Sequence, residues 1–437
     1  MKRVILCASA LLAGGFAMAQ QPAPQTVPTR TAQTIAPRVV TIPTAGASAG
    51  SNYSDIDQAG IGSDATVKQQ GTAQGSFISQ VGSDNANRND VVVRQWGNVT
   101  ALSGEGNYGE VDQNGAGNTF YGTQEGDFNQ MFSTQVGLDN DVYVQQGDDT
   151  AEQAEGNLAI VDQDGSINVA SVEQRFDNNQ SSITQRNSVG AISGNVSYQD
   201  QVANPNQSAG HVAIGEQWGE GNELAQFQVG PGDGNYAEAL QGNATDAAQG
   251  GFVQQVQTGS LNEAYATQIG VDNTLYQEQD GSGNTAQAIQ ADNPASGNDM
   301  VAMQYQSGDD HSAYVKQNGS LNEAYQEQFG EGNISNIEQR GGVNPLEANL
   351  ATTLQSGALN QSDILQKTRG NVSFVDQLGN GHQSIINQNA NGTSAPGAQG
   401  FNTATVSQRN ANVSFSPAQS RTFVGTPAAQ RVRNNNN

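Results

Sequence analysis

GSLNEAYATQIGVDN (residues 259–273) and GSLNEAYQEQFGEGN (residues 319–333) are two copies of one phrase. In the first, Gln268 follows Asn262 by six residues and Asn273 follows Gln268 by five, so the pattern recurs every eleven. It continues through Gln279, Asn284 and Gln290, and in the second copy through Asn322, Gln328, Asn333 and Gln339. The same phase runs through Asn107, Gln113, Asn118 and Gln124, through Asn157, Gln163, Asn168 and Gln174, and through Asn360, Gln366, Asn371 and Gln377. Self-similarity at a fixed short period is the signature of a repeat architecture.

In an extended chain, side chains alternate between two faces. The third and fifth residues of each Asn-to-Gln unit then share a face with the two amides. Those places hold small or apolar residues such as Val91, Val93, Ala159, Val161, Leu275 and Ile337, or the amide Gln277, and never a charge. The even places hold Asp57, Arg94, Asp112, Glu173, Glu263 and Glu338. One face is dry and one is wet, which predicts a strand. Between one Gln and the next Asn lie four residues, commonly with glycine second: Gly115, Gly137, Gly165, Gly270, Gly281, Gly330 and Gly379. Glycine, Asp and Asn supply the positive φ of tight turns. Each eleven-residue unit reads as strand plus turn, and two units make a strand-turn-strand coil of about 22 residues. A single coil cannot bury its inner face, so stability must come from stacking. Stacked strands lie about 4.8 Å apart, which places Asn over Asn and Gln over Gln as amide ladders. The predicted fold is an all-β solenoid of stacked coils, cross-β when polymerised.

Composition agrees with a repeat and not with a large conventional core. Only 6% of the 437 residues are aromatic and 14% charged, with 52 glycines and a net charge of −25. Low hydropathy with such a charge would ordinarily point to disorder, and the periodicity decides against it. The chain divides into residues 1–19, a predicted secretory signal peptide, and a Pro/Thr/Ala/Gln-rich leader (20–50) expected to be unstructured. The repeat solenoid (51–408) and a basic polar tail (409–437) follow. Cys7 is the only cysteine and lies in the signal segment, leaving no thiol or disulfide beyond it. No later stretch has the roughly 18 apolar residues of a membrane span, so the mature chain is expected to be exported and soluble. The acidic body disfavours nucleic acid. Its basic flanks either aid solubility or dock on another subunit's body. Pro205, Pro231, Pro294, Pro345 and Pro396 each fall where the eleven-residue count breaks. Proline cannot donate to a ladder, so these are expected loops between blocks of coils.

Catalytic and metal chemistry find no foothold. His211, His311 and His382 are each followed six residues later by Gln217, Gln317 and Gln388. Histidine there reads as a replacement for ladder Asn, without the further ligands a metal needs. Asp148-Asp149 and Asp309-Asp310 sit beside glycines in expected loops. Adventitious Ca²⁺ is conceivable there, but the GGxGxD pattern of calcium β-rolls is missing. Neither GxSxG nor a phosphate-binding loop occurs. The expectation is no enzyme and no cofactor. Tyr143, Tyr198, Tyr265, Tyr276, Tyr314, Tyr325 and Phe374 fall at the fourth, outward place, as cross-strand packing or as a surface-binding row.

The run Asn322-Glu-Ala324-Tyr-Gln-Glu-Gln328-Phe-Gly330-Glu-Gly332-Asn333-Ile-Ser-Asn-Ile-Glu-Gln339 resembles the curlin repeat family, the subunits of bacterial curli fibres. The resemblance extends over most of residues 52–408. It implies a secreted functional amyloid at the surface of a Gram-negative cell, serving adhesion and biofilm matrix. It also implies partners: further copies of the chain, other curli subunits or a nucleator, an outer-membrane export pore and a periplasmic chaperone. The chain is much longer than the family's usual subunit, and its leader lacks the glycine-rich character of the family's export segment. The rival expectation is a monomeric or capped solenoid acting as a surface adhesin.

Overall fold

A computed structural model describes residues 33–35, 51–84, 86–96, 104–147, 154–204, 209–230, 234–290, 298–341, 348–368, 370–388 and 402–410. The described residues are all-β. Two parallel sheets carry the molecule, each with a main path of 14 strands. The first sheet starts at Tyr53–Ile61 and ends at Gln383–Gln388; the second starts at Ser63–Gln69 and ends at Thr403–Arg409. The chain alternates between them, so each coil contributes one strand to each sheet. Coils stack in register: Ala264 lies beside Ala286, Ala286 beside Ala313, and Gln268, Gln290 and Gln317 follow one another. The architecture is an open β-solenoid, as the eleven-residue pattern predicts.

Alternation within a strand decides what is inside. In Ser312–Asn318 the buried residues are Ala313, Val315 and Gln317, with the intervening ones half-exposed. Inward apolar residues form two long columns of core. One runs from Ile78 to Ile183 and includes Val93, Phe120, Met131 and Val144; the other runs from Leu224 to Ile386 and includes Leu275, Ile337 and Val375. Burying a side chain of this size contributes roughly 1.5–3 kcal/mol, and no coil buries it alone.

Corners hold the coil length. Gly115, Gly137, Gly165, Gly270, Gly281, Gly330 and Gly379 all have φ between +107° and +129°. A second left-handed residue stands two places on, just before the ladder position: Gly283 (φ 68°), Asp310 (φ 55°), and also Leu261 (φ 56°), Leu321 (φ 63°) and Ile167 (φ 60°). For bulky or β-branched residues that conformation is strained. The quoted phrase GSLN is thus a corner in which stacking imposes on leucine a geometry glycine adopts freely. Corner glycines also stack on one another, and a Cβ on Gly308 would overlap the carbonyl oxygen of Gly330.

Coils differ in length without losing register. Successive ladder glutamines are 22 residues apart from Gln113 to Gln135, 27 from Gln174 to Gln201, and 33 from Gln80 to Gln113. The extra residues are absorbed between strands. Pro205, Pro231, Pro294, Pro345 and Pro396 lie outside the described residues, in such intervals. So do the signal segment, the tail beyond residue 410 and most of the leader. One part of the leader departs from the expectation of no structure: Ile35 packs on the outer face of the first sheet, between the Tyr108–Phe132–Leu158 cluster and the Ile214–Tyr236–Tyr265 cluster. The Gln33 main-chain N–H donates to Tyr236 Oη at 2.8 Å. The outward column there reads Ile160, Ser182, Ile214, and the small Ser182 leaves apolar neighbours on either side for Ile35 to cover.

The corner geometry yields a prediction. Gly308→Ala combines a forbidden φ with overlap of the next coil, whereas Gly190→Ala (φ 86°) meets no atom within 4 Å. The Gly190 variant should lose roughly 1–2 kcal/mol from backbone strain. The Gly308 variant should lose a further 1–3 kcal/mol, roughly, from overpacking. Urea midpoints read by circular dichroism check the difference; equal midpoints would mean that the corner column does not carry the stack.

Candidate assembly surfaces and amide ladders

Buried amides build the interior edge of both sheets. In the first sheet Gln113 Nε2 donates to Gln135 Oε1 at 2.7 Å, Gln163 to Gln185 at 2.8 Å, Gln268 to Gln290 at 2.8 Å, and Gln339 to Gln366 at 2.9 Å. In the second sheet Gln124 donates to Gln146, Gln174 to Gln201, Gln279 to Gln306, Gln328 to Gln355 and Gln377 to Gln408, at 2.7–2.9 Å. Each Gln Nε2 spends its second hydrogen on a main-chain carbonyl; Gln279 reaches Glu263 at 3.0 Å. Apart from Gln408 in the last coil, these side chains have no solvent exposure or almost none, so each bond replaces water that cannot reach it. Every donor belongs to the coil nearer the N-terminus, and the columns are therefore polar.

The asparagine columns run by a different bond. Asn Oδ1 accepts from the main-chain N–H of the ladder residue in the next coil: Asn107 from Asn129 (3.0 Å), Asn118 from Asn140 (3.2 Å), Asn157 from Asn179 (2.8 Å), Asn262 from Asn284 (3.1 Å) and Asn333 from Asn360 (2.9 Å). Asn168, Asn273, Asn322 and Asn371 offer the same oxygen to Asn195, Met300, Asn349 and Asn402. Asn284 offers it to His311 at 2.9 Å. Only the lower partner needs an amide, because the upper one contributes main chain. Gln74, Gly251 and Met300 occupy ladder positions on that basis, and Ser63 opens the column of the second sheet. Reading the sequence for Asn passes over these four; the Gln six residues on, Gln69, Gln80, Gln257 and Gln306, is the signal that marks them.

Histidine stands in for asparagine as an acceptor. His211 Nδ1 accepts from the Asn235 main-chain N–H at 3.0 Å, and His311 Nδ1 accepts from Asn333 N–H at 3.1 Å. The amide N–H can only donate, so the ring proton resides on Nε2, which points at the Val202 carbonyl in one case and the Ser307 carbonyl in the other. Burial lowers both imidazoles below their ordinary 6.5, with Asp309 and Asp310 opposing the shift at His311. Both are held neutral. His382 takes the same place in the last coil, where its main-chain N–H donates to Asn360 Oδ1 at 3.0 Å.

A further amide column runs through the interior itself. Gln199, Gln226, Gln255, Gln277, Gln304 and Gln326 donate each to the next at 2.6–2.8 Å, and Gln326 ends the series on Ser335 Oγ. Ser181 Oγ bonds Gln199 Oε1 at the other end. Fifth places on the opposite sheet are correspondingly small: Gly215, Ala239, Ala266 and Ala288. Sequence reading singles out only Gln277 of this column, because the exchange of volume between sheets is a tertiary matter.

Outward aromatics pack along the sheets. Tyr53, Phe77, Tyr108 and Phe132 form a file with ring centroids 5.3–5.5 Å apart, and Tyr121 stacks on Tyr143 at 5.6 Å. Tyr198 meets Phe227 and Tyr265 meets Tyr236. Tyr276 donates to Glu278 at 2.6 Å, and Tyr325 contacts Glu323. Among the described residues no group of three or more His, Cys, Asp or Glu side chains converges as a metal site would require. Asp309 accepts the Ser282 N–H at 3.1 Å and serves the corner, while Asp148 and Asp149 lie outside the described residues.

The remaining surface is the pair of ends. Among the described residues, Tyr53–Ile61 and Ser63–Gln69 each have one strand neighbour, and so do Gln383–Gln388 and Thr403–Arg409. In the first coil the inward Ile56 is 43% exposed, whereas inward residues of middle coils are at or near zero. Each end presents main-chain groups at the 4.8 Å spacing a further strand would take. Neither the protein-family models nor the curated proteins include a match to this chain.

Two outcomes follow for the ladders. Gln279→Leu leaves the Gln257 Nε2 and the Gln306 Oε1 without their partner, at about 1–3 kcal/mol for each orphaned group, and should lower the urea midpoint far more than Gln58→Leu in the first coil. For the histidines, the folded pKa is lowered, so the unfolded chain takes up protons first and stability falls as pH drops below 6.5. Asp200 works in the opposite direction: burial raises it to about 6 against the pull of Arg175, so its contribution is present in acid and lost as pH rises through about 6. Melting curves of the wild type and the His211→Asn, His311→Asn double variant between pH 7 and 5 isolate the histidine part. The double variant should lose less stability on acidification, and parallel curves would count against the acceptor role.

Proposed function

We propose that this chain is a structural subunit of an extracellular fibre, secreted from the cell and self-assembling by edge-to-edge stacking of its terminal coils, in the service of cell adhesion and biofilm matrix. The observation that carries the reading is that, among the described residues, the first and last strands of both sheets have a neighbour on one side only. Among the described residues coil-on-coil packing is what buries the interior, and a second copy would cover an end by the same contacts. Among the described residues, the interior amides and histidines are taken up by the ladders. The resemblance to curlin repeats points the same way and brings with it the export pore, chaperone and nucleating partner as part of the proposal.

Full-length chain released from denaturant at neutral pH is expected to form filaments with a cross-β reflection at about 4.7 Å, and fragments of those filaments should abolish the lag of fresh chain. A β-rich monomer that never elongates, with or without seeds, would remove the fibre reading and leave a solenoid adhesin.

A further inference from the structure

We infer that the first and last coils are a matched pair: the N-terminal coil of one copy stacks on the C-terminal coil of another, with Gln58 on Gln388 and Gln69 on Gln408. This rests on the fibre reading and specifies its contact. In that register the inward residues at the third, fifth and seventh places of the two coils are identical. Ser54, Ile56 and Gln58 face Ser384, Ile386 and Gln388 in the first sheet; Ala65, Val67 and Gln69 face Ala404, Val406 and Gln408 in the second. The neighbours continue the match, with Ser362 and Ile364 before the junction and Ser76 and Ile78 after it. The middle of the solenoid is different, with Ala264 and Ala266 set across from Leu275 and Gln277. Columns that change along one molecule become continuous where two molecules meet.

Hydrogen-bond polarity selects the same pairing. Along every glutamine column the donor sits on the N-terminal side, so the last coil offers Nε2 of Gln388 and Gln408 while the first offers Oε1 of Gln58 and Gln69. Along the asparagine columns the acceptor sits on the N-terminal side. His382 Nδ1 and Asn402 Oδ1 thus face the main-chain N–H groups of Asn52 and Ser63, as His211 and His311 face Asn235 and Asn333. Two N-terminal coils brought together would oppose acceptor to acceptor and crowd the outward Asp55 and Asp57 of both copies. In the matched register Asp55 meets Ile385, Asp57 meets Asn387 and Asp64 meets Thr403, so no acid faces an acid. The interface is heterologous and leaves a fresh copy of each end, the condition for an open filament.

The test uses two full-length variants, Ile56→Lys at one end and Val406→Lys at the other. Each is expected to remain monomeric alone, because each keeps one competent coil. Mixed in equal amounts they should give a dimer that stops, read by light scattering on a sizing column, while the wild type forms filaments. Dimers of either variant alone, filaments from either variant, or no dimer on mixing while the wild type polymerises would each overturn the register and leave the fibre reading standing. A wild type that stays monomeric would remove the fibre reading itself. A second measurement covers a variant that fails to fold. With Cys7→Ser as background, Ser54→Cys, Ser384→Cys chains should cross-link into covalent multimers on oxidation, since stacked Cα atoms lie within disulfide reach. Either single cysteine should not. Dimers from Ser54→Cys alone would overturn the pairing.

Discussion

A primary amide sealed from water must find its partners inside the protein, and in this molecule the partners are other amides one coil away. That constraint sets the register of everything else. A slip of one residue would turn each Gln and Asn outward and bring the charged even positions inside, so the ladders leave the stack one alignment. Insertions of different lengths are tolerated because the ladder on either side of them stays closed.

The corners follow from that alignment. Coils stacked at strand spacing bring their turns into contact, which excludes a Cβ where glycines follow one another and forces the residue before the ladder into the left-handed region. Where that residue is Leu261, Leu321 or Ile167 the strain is local, and the stacking of the two flanking ladders offsets it. Histidine at a ladder position is the converse case: Nδ1 reproduces the asparagine oxygen as acceptor only while the ring is neutral, which couples the fold to pH at His211 and His311.

A solenoid held together in this way has two kinds of surface. Its flanks carry acids, aromatics and a docked fragment of leader. Its ends, among the described residues, are the first and last coils, which have the same kind of strand edge that every interior coil presents to its neighbour. In the fibre reading proposed above, addition of copies would continue the stacking that folds the chain, with the terminal coils as the contact.

Eleven-residue spacing, the dry and wet faces, the glycine corners and the place of the histidines are all local properties, fixed within one or two units, and the sequence alone determined them. The columns Asn262–Asn284 and Gln268–Gln290 could be foreseen because the period carries them. Tertiary structure decided how a residue without an amide serves at a ladder place, as Met300 and Gly251 do by lending main chain. It also decided that Gln199 to Gln326 run inside against small residues, and that Ile35 seats on the outer face. The physical reason is one of distance along the chain. Coil contacts join residues 22 to 33 apart across inserts of irregular length, and what complements a side chain across the core or at the other end of the stack is settled only when the coils are wound.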